Sequence, residues 1–190
     1  MGGSHNDRYG FLTWTTYGTW LPGDERGFVS NVRDGSGPEV RHNIPGTPYD
    51  RDMPGLRHSA HATLKCAPIY FVLEQAQPLL EQFQETARYR GWRLIAVGIM
   101  RNHIHIVVGV AGDPDPSDVL GDFKAYGSRA LNKKWGKPAS GTWWTESGSK
   151  RKVRGEAALP DVVQYVHDQP CPLLIWISDD AASDPASGGA

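Results

Sequence analysis

The sequence predicts an α+β domain: a ferredoxin-like antiparallel sheet with its helices packed on one face. Strand-like runs and helical apolar periods alternate as strand, helix, strand, strand, helix, strand-like segment, which is the order of that sandwich. The second and third strand-like runs are separated only by Arg101-Asn102, so they form a tight antiparallel hairpin. A length of 190 residues allows one domain with a proper core and is short for two domains plus a linker. One domain is therefore expected over residues 1–178, followed by a flexible acidic tail over 179–190.

Taken in order, residues 9–17 (YGFLTWTTY) are rich in aromatic and β-branched side chains and stop at Gly18, which predicts the first strand. From residue 22 to 62, 11 of 41 residues are Gly or Pro and no apolar period persists. An irregular insertion, a candidate flap, is expected there, with His42, His58 and His61 as surface histidines. A short strand around 63–70 precedes residues 73–90, where Leu79, Leu80, Phe83 and Ala87 recur at helical spacing and Gly91 closes the helix. Residues 92–100 and 103–110 are the hairpin strands, expected at the centre of the sheet. Pro114 and Pro116 precede a Ser117-Asp118 cap, after which Val119, Phe123, Tyr126 and Ala130 keep helical spacing to about Lys133 and turn Tyr126 toward the sheet. Residues 143–153 supply a last strand or an extended basic segment, and 160–169 (PDVVQYVHDQ) a short helix.

The formal charge of −1 conceals a strong segregation. Between Lys124 and Arg154 stand nine basic residues and one acidic residue, Glu146, a local excess of +8 that leaves −9 for the rest of the chain. Such a stretch is the footprint of a surface that meets phosphates, or of a solvated basic face with no partner. No segment approaches the roughly 20 apolar residues that cross a bilayer. Cys66 and Cys171 lie far apart with no CxxC spacing, and no signal-peptide pattern precedes the first apolar run. A cytoplasmic protein with reduced thiols and no membrane partner is expected.

The chemistry-bearing residues cluster in the second half. Side chains alternate along a strand, so His103 and His105 project from one face and Ile104 and Ile106 from the other. Imidazoles about 7 Å apart at the backbone can converge on one divalent ion. The pair is expected on the helix-covered face, where an unpartnered imidazole is costly to bury. Tyr126 is expected to face the same surface. A phenol opposite a metal-bound phosphate can attack phosphorus and form a covalent phosphotyrosine. Alone, a tyrosine on such a stripe is more often core. Trp14, Trp20, Trp143 and Trp144 are candidates either for stacking on unpaired bases or for the core.

Residues 102–107 (NHIHIV) resemble the histidine-hydrophobe-histidine motif of the HUH superfamily, and residues 124–132 (KAYGSRALN) resemble the tyrosine-bearing helix of its single-tyrosine transposases. Residues 12–23 (LTWTTYGTWLPG), Arg90-Gly91-Trp92, Trp144-Thr145 with Gly148-Ser149, and Tyr165-Val166 with Gln169 are similar to the REP-associated tyrosine transposase branch. The resemblance runs from about residue 9 to 169. It implies a ferredoxin-like fold, a Mg²⁺ or Mn²⁺ ion held by His103 and His105, and Tyr126 as nucleophile. The implied activity is that of a DNA nickase-ligase, which cuts and rejoins single-stranded hairpin DNA through a 5′-phosphotyrosine. The wider group usually carries Gln or Asn one helical turn after the tyrosine as third metal ligand, but Ala130 stands there. Asp122, one turn before Tyr126, Glu146, a water or nothing fills that position. Lys124, Arg129, Arg151, Lys152 and the Gly148-Ser149 segment are expected to contact DNA phosphates. The alternative reading is a domesticated single-stranded DNA-binding protein that no longer cuts; a replication-initiator or relaxase relative is a weaker third. Monomer and homodimer both remain open.

Overall fold

The computed structural model describes residues 8–24 and 53–182. Strand β1 (Arg8–Thr15) is followed by helix α1 (Pro54–Ala62), α2 (Leu73–Arg90), β2 (Arg93–Ile99), β3 (His103–Val110) and α3 (Pro116–Trp135). Next come β4 (Ser149–Val153), a 3-10 turn (Glu156–Ala158), α4 (Leu159–His167), β5 (Leu174–Ile177) and α5 (Asp179–Ala182). The five strands form one antiparallel sheet in the order β4-β1-β3-β2-β5. The first four carry the expected ferredoxin-like α+β arrangement, with the β2–β3 hairpin closed by Met100 N–H donating to the His103 carbonyl at 2.9 Å.

Helices α2 and α3 pack side by side on one face of the sheet. Their apolar stripes, Ala76, Leu79, Leu80, Phe83 and Ala87 on α2 and Val119, Leu120, Phe123 and Leu131 on α3, bury Leu12, Trp14, Val97, Ile99, Ile104 and Ile106 beneath them. Gly91 ends α2 in the left-handed region at φ 69°, with its N–H on the carbonyl of Arg88. On α3 the cap is Asp115, whose carboxylate accepts from Ser117 N–H at 2.7 Å, two residues earlier than the Ser117-Asp118 cap expected.

The opposite face holds a second, smaller core: Phe11, Ile95, Ala96 and Val107 under Leu159 and Val166 of α4. Helices therefore cover both faces of the sheet, two on one and a short one on the other.

Four local expectations are corrected. Residues 54–62 of the supposed irregular stretch form α1; residues 25–52, with His42, lie outside the described residues. Residues 63–70 form no strand, because only isolated bonds such as Ile69 N–H to the Tyr17 carbonyl tie this segment to its neighbours. The apolar, β-branched run Leu174–Ile177, absent from the sequence reading, adds an edge strand beside β2. Asp179–Ala182 of the expected tail is helical, and 183–190 lie outside the described residues. No helix among the described residues is long and apolar enough to cross a membrane.

Gly148, just before β4, sits where a Cβ would come within 2.8 Å of the Thr13 carbonyl oxygen and 3.0 Å of Trp14 Cβ. Backbone and a buried indole cannot give way cheaply. Gly148→Ala is therefore expected to lower stability by about 1–3 kcal/mol, read as a reduced midpoint of thermal unfolding.

Candidate active site

His105 faces the α4 side of the sheet. The β1–β3 register sets Thr13 opposite His105 and Thr15 opposite His103, and directly paired residues share a face. Phe11 stacks on the His105 ring at 5.4 Å between centroids, and His103 meets it edge-on at 4.8 Å. From α4, the Tyr165 ring stands edge-on to His105 at 5.6 Å and to Phe11 at 5.7 Å. One turn further, the Gln169 amide N–H donates to the Tyr165 carbonyl at 3.0 Å and leaves the amide oxygen as an acceptor.

Both imidazoles are tied at Nδ1. Asn102 Oδ1 lies 2.7 Å from Nδ1 of His103, and Thr13 Oγ1 lies 2.8 Å from Nδ1 of His105. His105 is 4% exposed, and its Nε2 is buried with no hydrogen-bond partner among the described residues. Burial lowers the His105 pKa to about 4, with help from the charge of His103; Gln169 opposes the shift from close by without reaching Nε2 in hydrogen-bond geometry. His105 is thus neutral at physiological pH, the form in which an imidazole binds metal.

An orphaned buried nitrogen is costly in a folded protein, and a ligand at Nε2 would relieve that cost. Among the described residues no third His, Cys, Asp or Glu completes a cluster with the pair. The donor beside it is an amide, Gln169, and the set His-His-Gln offers two nitrogens and one oxygen. Such a set suits a borderline or hard divalent cation with open positions for water or phosphate oxygens.

The expectation that Tyr126 shares a surface with the histidines is corrected. Tyr126 is on α3, across the sheet from the pair, because the side chains that α2 and α3 bury are Ile104 and Ile106 rather than the histidines. It lies one position off the buried stripe of α3, half-buried, with the Arg129 guanidinium 4.7 Å above its ring. Asp122 is on the same helix and pairs with Arg90 at 2.8 Å. Glu146 belongs to the loop beyond α3.

The expected phosphate contacts separate in the same way. Lys124 Nζ donates to the carbonyls of Thr145, Glu146 and Ser147 at 2.6, 3.0 and 3.2 Å, pinning that loop. Burial pulls its pKa down to about 8, with Glu146 opposing. Ser149 pairs with Thr13 and Arg151 with Phe11, so both share the histidine face, whereas Lys152 pairs with Gly10 and points to the other. Trp14, Trp143 and Trp144 are 1%, 6% and 4% exposed, members of the core rather than a stacking surface.

Tyr165 and Gln169 stand beside the histidine pair, a placement that the sequence analysis does not assign. Their spacing was the available signal: the amide expected one turn after the tyrosine is lacking after Tyr126 and present after Tyr165.

The family model for IS200-like transposases matches residues 60–169, more than half of the chain, and the chain belongs to that family. Two solved structures are similar in outline. A Deinococcus radiodurans R1 protein described as a "putative transposase" is 15% identical, over 86% of this chain and 91% of that one, with a TM-score of 0.44. A REP-associated tyrosine transposase bound to a REP hairpin is 13% identical, over 100% and 96%, with a TM-score of 0.47. No curated protein matches the chain. The family generally uses a divalent metal ion.

Proposed function

We propose that the chain cuts and rejoins single-stranded DNA with Tyr165 as nucleophile, at a site where His103, His105 and Gln169 hold Mg²⁺ or Mn²⁺. The observation that carries this reading is the Tyr165 ring edge-on to His105 at 5.6 Å, with Gln169 beside a buried Nε2 that has no hydrogen-bond partner among the described residues. In the reaction the Tyr165 phenol gives up its proton, its oxygen bonds phosphorus, and the bond to the 3′ oxygen breaks. That oxygen takes up a proton and leaves as a free 3′ hydroxyl, while the 5′ phosphate stays on the tyrosine. A bound divalent ion supplies neutralisation of the charge that builds on the non-bridging phosphate oxygens. Reversal with a second 3′ hydroxyl rejoins the strand.

Helix α4 packs over β2, β3 and β5, and Ser149 and Arg151 project from the same face on β4. Two strand spacings, about 10 Å, separate the backbone of Ser149 from that of His105, within reach of a strand whose phosphates pass the histidines. Arg151→Ala is expected to weaken single-stranded DNA binding about tenfold, roughly 1.4 kcal/mol, and Lys152→Ala much less. Fluorescence anisotropy with a labelled oligonucleotide measures both, and equal losses would remove the face selectivity.

Hairpin DNA is the proposed substrate. The test is to incubate the protein with labelled single-stranded hairpin oligonucleotides and Mn²⁺ and to look for a covalent adduct on a denaturing gel. Absence of any adduct across a broad library overturns the reading. The non-cleaving alternative rests on Ala130 in the ligand position after Tyr126 and on the net acidity outside the basic segment; Gln169 one turn after Tyr165 speaks against the first of these.

A further inference from the structure

We infer that Thr13 and Asn102 are positioning residues that accept the Nδ1–H of His105 and His103 when Nε2 of each ring binds a cation. This rests on the metal-binding reading above.

A neutral imidazole can offer Nε2 to a cation only when Nδ1 carries the hydrogen, and a buried N–H needs an acceptor. For His105 the group at Nδ1 is Thr13 Oγ1, at 2.8 Å and directly across the β1–β3 ladder, a hydroxyl able to accept from Nδ1–H or to donate to a bare Nδ1. Strand pairing therefore delivers the hydroxyl to the ring, with no flexible loop involved. When Nδ1–H donates to Thr13, the lone pair of His105 lies on Nε2, the atom with no hydrogen-bond partner among the described residues. The competing tautomer would place a hydrogen on Nε2, toward the Gln169 amide, and close the site to a cation. Thr13 thus supplies the acceptor that the binding-competent form of His105 requires.

For His103 the assignment follows from chemistry alone. Asn102 Oδ1 is only an acceptor, so Nδ1 of His103 donates to it at 2.7 Å and the lone pair lies on Nε2. Asn102 is itself anchored: its carbonyl oxygen accepts from Thr16 N–H at 2.9 Å, from Thr16 Oγ1 at 3.2 Å and from Thr19 Oγ1 at 3.1 Å. Groups that orient a metal-bound histidine through its second nitrogen typically change metal affinity 10- to 100-fold when removed.

The experiment uses the full chain with Mn²⁺ alone as probe. Two quantities are read: the ¹⁵N shifts of the imidazoles in the metal-free protein, which distinguish Nδ1–H from Nε2–H, and Mn²⁺ affinity by electron paramagnetic resonance. In the wild type both histidines are expected as Nδ1–H. Thr13→Val, which keeps the shape and deletes the hydroxyl, is expected to move His105 to Nε2–H and weaken Mn²⁺ about 10- to 100-fold. Thr13→Ser is expected to stay within about twofold of the wild type because it restores the acceptor. Asn102→Leu should move His103 alone.

An unchanged His105 tautomer in Thr13→Val overturns the inference. So does a loss of Mn²⁺ affinity that Thr13→Ser fails to rescue, since packing would then be responsible. If the wild type binds no Mn²⁺ while the shifts change as expected, the metal-binding reading falls and the tautomer assignment stands.

Discussion

Tyr165→Phe is expected to abolish the covalent protein–DNA adduct and to reduce strand cleavage by at least about 10³-fold, a barrier increase of roughly 4 kcal/mol. The substitution deletes one oxygen. The ring contacts with His105 and Phe11 survive, and because Tyr165 is 52% exposed the hydroxyl carries little of the fold's stability. Mn²⁺ affinity and binding to single-stranded DNA should therefore stay within about twofold of the wild type, since neither uses the phenol oxygen. Tyr126→Phe is the matched control. It removes the same oxygen from a half-buried tyrosine on α3, across the sheet, and should leave the adduct intact. The reverse pattern, with the adduct lost from Tyr126→Phe and kept in Tyr165→Phe, would return the nucleophile to α3. That outcome would also require α3 to approach the histidines from a second copy of the chain, because within one chain the sheet stands between them.

What could be read from the sequence, and what could not, follows from how each piece of information is encoded. Period-2 alternation separates His103 and His105 from Ile104 and Ile106, and the structure keeps that separation. Parity does not say which of the two faces the long helices take. β3 is buried along most of its length on both faces, so apolar content on one side is no guide. The face the helices take is the one where Trp14 meets Phe83 and Trp144 edge-on and Phe83 meets Phe123, contacts between residues far apart in sequence. Equating the helix-covered face with the histidine face makes Tyr126 the expected neighbour, whereas the face opposite α2 and α3 is the one that carries α4 and Tyr165.

Local chemistry was more legible. The end of α2 at Gly91 and the tight β2–β3 turn depend on residues within a few positions of each other, and both appear where their spacing indicates. The +8 segment shows the opposite limit. Charge excess along the chain locates a basic region, but alternation on β4 sends Arg151 to one face and Lys152 to the other, and burial turns Lys124 into a clamp on three carbonyls. Only the fold can sort such residues into those that meet solvent beside the histidines and those that do not.

The largest effect on the ion itself is expected from His105→Ala, which should eliminate Mn²⁺ binding and with it the metal-stimulated cleavage. Its cost in stability should be small. The substitution gives up the ring packing on Phe11 and the Thr13 hydrogen bond but also removes a buried nitrogen with no partner among the described residues, and these effects offset one another to within about 1–2 kcal/mol. A side chain that leaves the metal-free fold nearly as stable when deleted, yet abolishes a function, is held for that function. Gln169 separates binding from chemistry. Gln169→Ala should weaken Mn²⁺ about tenfold through loss of a neutral oxygen donor, whereas Gln169→Glu should tighten it, because a carboxylate is the stronger donor for a hard cation. Both should cut more slowly. Alanine lowers occupancy, while glutamate adds a negative charge where a phosphate must approach and cannot donate to the Tyr165 carbonyl as the amide does at 3.0 Å. Saturating Mn²⁺ should therefore restore cleavage in Gln169→Ala and fail to restore it in Gln169→Glu. Identical behaviour of the two variants in a Mn²⁺ titration would place Gln169 outside the ligand set.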